Sequence, residues 1–176
     1  MNKGDWIQTY TGKQFYPLSP EIDKISIVDI AHALSMKCRY TGHCSDFYSV
    51  AEHSVVVSNF CLPQYALAGL MHDAAEAYLP DVSRPIKPYL TGFKQLEDSL
   101  LGEIFTRYNI IYPYPQNIKD IDTRACFSEG VFLMPDISCW KLQADPLPGF
   151  RPMSLSPTEA KVEFLERFFE LYLNGI

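Results

Sequence analysis

Apolar residues three or four positions apart recur along most of the chain, and few folds accommodate that pattern. Ile27, Ile30, Ala31 and Leu34 form one stripe, Val50, Val56, Val57 and Phe60 another, and Phe93, Leu96, Leu100, Leu101, Ile104 and Phe105 a third. Further stripes run through Ile118, Ile121, Ala125, Phe127 and Val131, and through Val162, Leu165, Phe168, Phe169 and Tyr172. A period of about 3.6 residues places each set on one face of an α-helix. Prolines at 80, 85 and 88 and the YPYP run at 112–115 interrupt the pattern, because proline lacks the amide proton that a helix interior requires. The expectation is a compact all-α domain of about six helices.

The remaining segments fit around that bundle. Residues 1–25 include DWIQTYTGKQFYPL, which alternates and breaks at Thr11-Gly12, predicting a short extended arm or hairpin whose aromatic side chains pack on the helices. A helix is predicted from about Ile27 to Lys37, with His32 in a structural role. Residues 134–155 lack a period and contain several prolines, as in a long ordered loop, with Trp140 at the core edge or a pocket wall. Ser156, Pro157 and Glu159 have the order of an N-cap, a first-turn proline and a capping-box acid, opening a C-terminal helix over 156–174.

A length of 176 residues suits a single domain with one substantial core. The net charge of −6 argues against a nucleic-acid polymer as partner, since tracking a phosphate backbone requires clustered cations. No apolar run has the length of a membrane span and MNKGDWIQ has no signal-peptide core, so a cytoplasmic protein without a membrane partner is expected. The five cysteines include no CxxC pair, consistent with reduced thiols.

Chemistry concentrates between residues 51 and 81. His53 lies in AEHSVVVSNF, and His72 and Asp73 close an apolar segment through Leu67, Leu70 and Met71. A lone histidine on an apolar helix is ordinarily a core residue, but an aspartate beside it at the end of an apolar run is costly to bury unless paired or bound to a metal. If the helix continues, Glu76 shares a face with His72 and Asp73 and can reach the same ion or its water. Upstream, CRYTGHCSDFYS reads as a loop offering Arg39, Tyr40 and His43; Arg39 suits a phosphate or a surface salt bridge, and Tyr40 a base. Downstream, Asp81, Arg84 and Lys87 lie in a proline-stiffened loop with the charges a sugar phosphate would meet. Asp120 and Asp122, in the helix that begins near Gln116, read on their own as solvated charges.

The segments CRYTGH (38–43), YSVAEHS (48–54), HDAAEAYLPDVSRPIK (72–87) and IDTRA (121–125) together resemble the HD-superfamily metal-dependent phosphohydrolases, especially small 5′-deoxynucleotidases and phage deoxynucleoside triphosphate triphosphohydrolases. The resemblance implies an HD-type helical fold in which His53, His72, Asp73 and Asp122 ligate one divalent ion, with Asp120 the fallback for Asp122. Mixed imidazole and carboxylate ligands admit manganese, cobalt, zinc, iron or magnesium. It further implies Glu76 and Asp81 in catalysis, and Arg39, Tyr40, His43, Arg84 and Lys87 around a deoxyribonucleotide; Tyr40 stands where relatives often have tryptophan. The expected reaction releases orthophosphate from deoxynucleoside 5′-monophosphates. Alternatives are a triphosphohydrolase acting, for example, on dATP, and a non-catalytic nucleotide-binding module. Similar proteins form homo-oligomers, and the same is expected here.

Overall fold

The computed structural model describes residues 4–174, so the first residues of the expected arm and the last two residues of the chain lie outside the described part. Six α-helices carry the fold: α1 (Ile27–Ser35), α2 (Val50–Phe60), α3 (Ala66–Met71), α4 (Phe93–Arg107), α5 (Gln116–Leu133) and α6 (Pro157–Asn174). The fold is all-α, as the periodicity predicts. None of the described helices is long and apolar enough to cross a membrane.

Helix α2 is the hub, packing against α1, α3, α5 and α6. A helix with neighbours on so many sides has little solvent face for polar groups, yet Glu52, His53, Ser54 and Ser58 are buried within it. Each has a partner. Ser54 and Ser58 donate to the carbonyls of Val50 and Ala66, both at 2.9 Å. Glu52 accepts the backbone N–H groups of Met153, Ser154 and Leu155 at 2.8, 3.1 and 2.9 Å, which fastens the end of the long loop to the hub. Leaving such a buried group unpaired would cost roughly 1–3 kcal/mol.

Helix α3 approaches α2 closely because position 69 is glycine. A Cβ there would lie 2.8 Å from Cys61 Sγ and 3.4 Å from Ser58 Cα. The close approach brings the end of α3, and with it His72, beside the middle of α2.

The arm is a two-stranded antiparallel hairpin, β1 (Ile7–Gln8) and β2 (Gln14–Phe15), with Ile7 opposite Phe15. Its turn is docked on α1, where Asp29 accepts the Thr11 amide at 2.7 Å and the Thr11 hydroxyl at 2.8 Å. Phe15 is fully buried and stacks on Tyr78, and Tyr10 stacks on His32. At the other end of the chain, the Ser156 amide donates to Glu159 and the Glu159 amide to Ser156 Oγ, a reciprocal cap that starts α6.

Candidate metal centre

Three helices converge on one group of side chains. His53 closes the first turn of α2, His72 directly follows α3, and Asp122 lies in the second turn of α5. One ligand atom from each lies within 4.8 Å of the other two, a span that a single cation can bridge. His53 Nε2 is 3.2 Å and His72 Nε2 3.9 Å from Asp122 Oδ1. Asp73 stands beside this trio, its Oδ2 3.2 Å from His72 Nε2 and 3.8 Å from His53 Nε2. Asp120 is elsewhere, exposed and accepting a hydrogen bond from Gln116.

The tautomers follow from the other ring nitrogens. His72 Nδ1 lies 2.8 Å from the Gly69 carbonyl, which can only accept, so Nδ1 carries the proton. His53 Nδ1 lies 2.7 Å from Glu129 Oε1, a carboxylate held ionised as described below, so Nδ1 donates there too. In both neutral rings Nε2 then presents its lone pair to the cluster. Both Nε2 atoms are buried and lack a hydrogen-bond partner among the described residues. Unpartnered imidazole lone pairs facing carboxylates, with the opposite nitrogens oriented by oxygen acceptors, are the donor set that a divalent cation takes.

Without a cation, protons are held in its place. Burial and Arg39 oppose charge on His53, but Glu129 and Asp122 outweigh them and raise its pKa to about 10. Burial would likewise favour neutral Asp73 and Asp122, but the facing histidines hold both below the ordinary carboxylate range.

Behind His53 lies a fully buried carboxylate, Glu129 of α5. Besides His53 it accepts Tyr48 Oη at 3.1 Å and Arg39 Nε at 3.1 Å, and Tyr40 Oη is 3.2 Å away. Burial would raise its pKa, but Arg39 and His53 bring it down to about 2. The surface salt bridge considered for Arg39 is therefore a buried one, and its Nε is committed to Glu129. Its Nη1 is 4.0 Å from Asp73, so the guanidinium adjoins the cluster without being free to grip a phosphate by its full fork.

The α-helix expected to run through Glu76 instead ends at Met71. Asp73 leaves helical geometry at φ −102° and ψ 12°, and a 3₁₀ turn over Ala74–Ala77 follows, with the Glu76 amide donating to the Asp73 carbonyl. Lys37 pins this turn by donating to the carbonyls of Glu76 and Leu79. Glu76 is buried, with Oε2 unpartnered among the described residues and Oε1 3.7 Å from Lys87. Burial, reinforced by Asp73 and Asp81, raises its pKa to about 9.

The proline-rich segment places Asp81, Arg84 and Lys87 on the same side. Arg84 Nη2 is 3.8 Å from Asp122 Oδ2, and Lys87 is 2.9 Å from Glu97. His43 is exposed and lines neither cavity beside the cluster. Tyr40, Thr41 and Gly42 all have positive φ, which reverses the loop and turns His43 away.

Two cavities meet at the cluster and share Asp73, Glu76, Arg84, Lys87 and Asp122 in their walls. One, of about 530 Å³, reaches toward α4 and α5 and is lined by charged side chains together with Tyr112 and Tyr114. The other, of about 810 Å³, opens toward Tyr40, Tyr89 and Trp140.

Over 170 residues the chain is 36% identical to the uncharacterized protein YfdR of Escherichia coli K12, covering 94% of this chain and 95% of YfdR. The chain belongs to the YfdR family. It is also 33% identical over 158 residues to an uncharacterized protein of Rhodobacter capsulatus, RCAP_rcc00048, covering 84% of this chain and 76% of that one. No family model matches the chain.

In this YfdR-family chain, Glu129 and Tyr48 are the site residues that sequence reasoning missed. The available signal was positional, since Glu129 lies two helical turns beyond Asp122 and shares its face of α5. Trp140, left between core edge and pocket wall, is part of the aromatic cavity.

Proposed function

We propose that the chain is a metal-dependent phosphohydrolase that releases orthophosphate from deoxynucleoside 5′-monophosphates. The observation that carries this reading is the placement of two unpartnered histidine Nε2 atoms and Asp122 where a charged cavity meets a second one whose far wall carries Tyr40, Tyr89 and Trp140. A ligand anionic at one end and planar at the other matches that arrangement, and a nucleotide is such a ligand. The ordered set of a histidine, a His-Asp pair and a distant aspartate, resembling the HD superfamily, supports the same reading.

His53, His72 and Asp122 would hold the cation, with Asp73 adjacent. When bound there, a divalent ion would lower the pKa of water and offset charge developing on a phosphoryl group. Arg84, beside the cluster, would attract the phosphate, and Lys87, held by Glu97, would add its positive field. Glu76 is the proton-handling group. Burial raises its pKa in the metal-free chain; protonated, it would supply the 5′ oxygen with a proton as its bond to phosphorus breaks, and ionised, it would accept one from the attacking water. Asp81 keeps Glu76 in this range by repulsion.

The charge arrangement favours a monophosphate. In the charged cavity Lys87 is paired with Glu97 and Lys94 with Asp98, which leaves Arg84 and Lys119 as its cations without a carboxylate oxygen within about 3.5 Å among the described residues. Two such cations beside Asp73, Glu76 and Asp122 are a poor clamp for a triphosphate. The test is anion-exchange product analysis after incubating manganese- or cobalt-loaded protein with each deoxynucleoside mono- and triphosphate, with ribonucleotides alongside. Nucleoside plus orthophosphate is expected. Intact triphosphate would transfer the reading to a triphosphohydrolase, and no product with any metal would overturn it in favour of a binding module.

A further inference from the structure

The aromatic cavity has one wall whose position is set by a glycine. Trp140 lies in the 134–155 loop, yet its ring is held from two directions. Behind it is Gly130 of α5, where a Cβ would come within 2.7 Å of Trp140 Cη2 and 2.8 Å of Cζ3. Real Cβ contacts essentially never become that short, so the indole occupies space that any other residue at 130 would fill. Beside it is Tyr40, with ring centroids 5.9 Å apart and planes inclined at 36°. Tyr40 is itself anchored, its hydroxyl 2.8 Å from the Cys126 carbonyl and 3.2 Å from Glu129.

The ring is thus seated on α5 and braced by a residue tied to the same buried carboxylate that orients His53. It remains partly exposed, and it lines the cavity that reaches the metal cluster. A large aromatic ring on an irregular loop has little intrinsic order, so this double support fixes a flat apolar surface at one place relative to the cluster. Hydrophobic filling alone would not require an open face.

We propose that Trp140, seated on Gly130, is the platform on which the nucleobase of the substrate stacks, and that it is a specificity-determining residue of the site. The proposal rests on the phosphohydrolase reading for the identity of the ligand, but the platform can be tested separately from turnover. Stacking is tolerant of base identity because every base has a π face, so Trp140 distinguishes nucleotides from base-free sugar phosphates more than one base from another.

The chain has two tryptophans, Trp6 and Trp140, and Trp6 lies in the N-terminal arm. In a Trp6→Phe background the emission therefore reports on Trp140 alone. The metal-free full-length protein is titrated with each deoxynucleoside monophosphate and, separately, with deoxyribose 5-phosphate. Nucleotides are expected to quench the emission and the sugar phosphate to leave it unchanged. Binding measured by calorimetry is expected to weaken about tenfold in Trp140→Ala and to stay within about twofold in Trp140→Phe. Gly130→Ala is expected to weaken nucleotide binding in the same direction by displacing the indole. Should that variant fail to fold, the Trp140 pair still decides.

Equal quenching by the sugar phosphate, or unchanged nucleotide affinity in Trp140→Ala, overturns the platform. If the protein hydrolyses deoxynucleoside monophosphates while Trp140→Ala binds them normally, the platform falls and the phosphohydrolase reading stands. If nucleotides quench Trp140 but no phosphate is released with any metal, the platform stands and the phosphohydrolase reading falls.

Discussion

His53 of α2 and Glu129 of α5 are joined by a 2.7 Å hydrogen bond between two side chains that expose no surface at all. The bond fixes which nitrogen of His53 is free to face the cluster. It also ties the candidate metal centre to a buried ionic network, since Glu129 simultaneously holds Arg39 and Tyr48.

Glu129→Ala is therefore expected to lose more than a ligand orienter. Removing one partner of a buried ion pair leaves Arg39 uncompensated and costs roughly 3–5 kcal/mol. Glu129→Gln also removes the charge that compensates Arg39 but keeps the shape and one acceptor oxygen, so it is expected to lose less stability than Glu129→Ala while weakening metal affinity by roughly 10–100-fold through loss of the orienting carboxylate. Chemical denaturation and manganese calorimetry on the two variants measure the separate effects. Normal metal affinity in Glu129→Gln would mean that the hydrogen bond serves the fold alone.

The two acids at the start of α5 make a paired control. Asp122 lies 3.2 Å from His53 and Asp120 is exposed. Asp122→Asn should abolish the thermal stabilisation that manganese or cobalt gives, whereas Asp120→Asn should retain it and alter stability by no more than about 0.5 kcal/mol. Thermal midpoints with and without metal are the readout, and a reversed pattern would displace Asp122 from the centre.

What the sequence made legible was decided by whether a residue's environment is local. The six helices followed from apolar spacing, and the His72-Asp73 pair stood out because a charged group at the end of an apolar run requires an explanation, whereas His53 alone read as a core histidine and Asp122 as a solvated charge until the resemblance joined them to that pair. Glu129 and Glu52 did not stand out. Each is an acid in a helix, which ordinarily means a solvated charge, and each is buried only because a segment distant in sequence supplies its donors: Arg39 and Tyr48 for Glu129, residues 153–155 for Glu52. Ser49 and Glu52 even have capping-box spacing, and the Ser49 side chain does accept the Glu52 amide, but the Glu52 carboxylate is taken by the loop instead. The break of the α-helix before Glu76 was equally hidden, because Ala74, Ala75 and Ala77 favour continuation and the 3₁₀ turn is held by Lys37, which lies just past the end of α1 and far from the turn in sequence.

Glu76 should reveal itself through pH as well as through turnover. Its pKa in the folded, metal-free chain is raised to about 9 from an ordinary 4.5 by burial and by Asp73 and Asp81. A raised folded pKa means that folding favours the protonated form. The contribution is complete below the unfolded pKa and is lost as pH climbs from about 4.5 through about 9. Glu76→Gln cannot ionise, so metal-free Glu76→Gln should match the parent at pH 4 and exceed it by on the order of 5 kcal/mol at pH 8. The same variant should lose most phosphohydrolase turnover while still binding metal. Urea denaturation at the two pH values, with metal removed, measures the first part. Parallel pH profiles for the two proteins would show that Glu76 ionises normally.

Gly69 offers the sharpest test of how the centre is assembled, because it contributes both a close helix approach and the carbonyl that orients His72. A methyl at this position would lie 2.8 Å from Cys61 Sγ, so Gly69→Ala must push α3 away from α2 or displace the thiol. Overpacking of this kind costs roughly 1–3 kcal/mol. Since His72 follows α3 directly and takes its tautomer from the Gly69 carbonyl, the displacement should also reduce metal affinity. The clash has one identifiable partner, and Cys61→Ala removes its sulfur. The double variant Gly69→Ala/Cys61→Ala should therefore recover a substantial part of both stability and metal affinity, although Cys61→Ala alone removes packing. A double-mutant cycle by denaturation and manganese titration measures the coupling directly. Additive losses would place the strain at the Ser58 backbone, where no side-chain change can relieve it. Recovery of stability without recovery of metal affinity would show that the helix approach and the His72 orientation are independent.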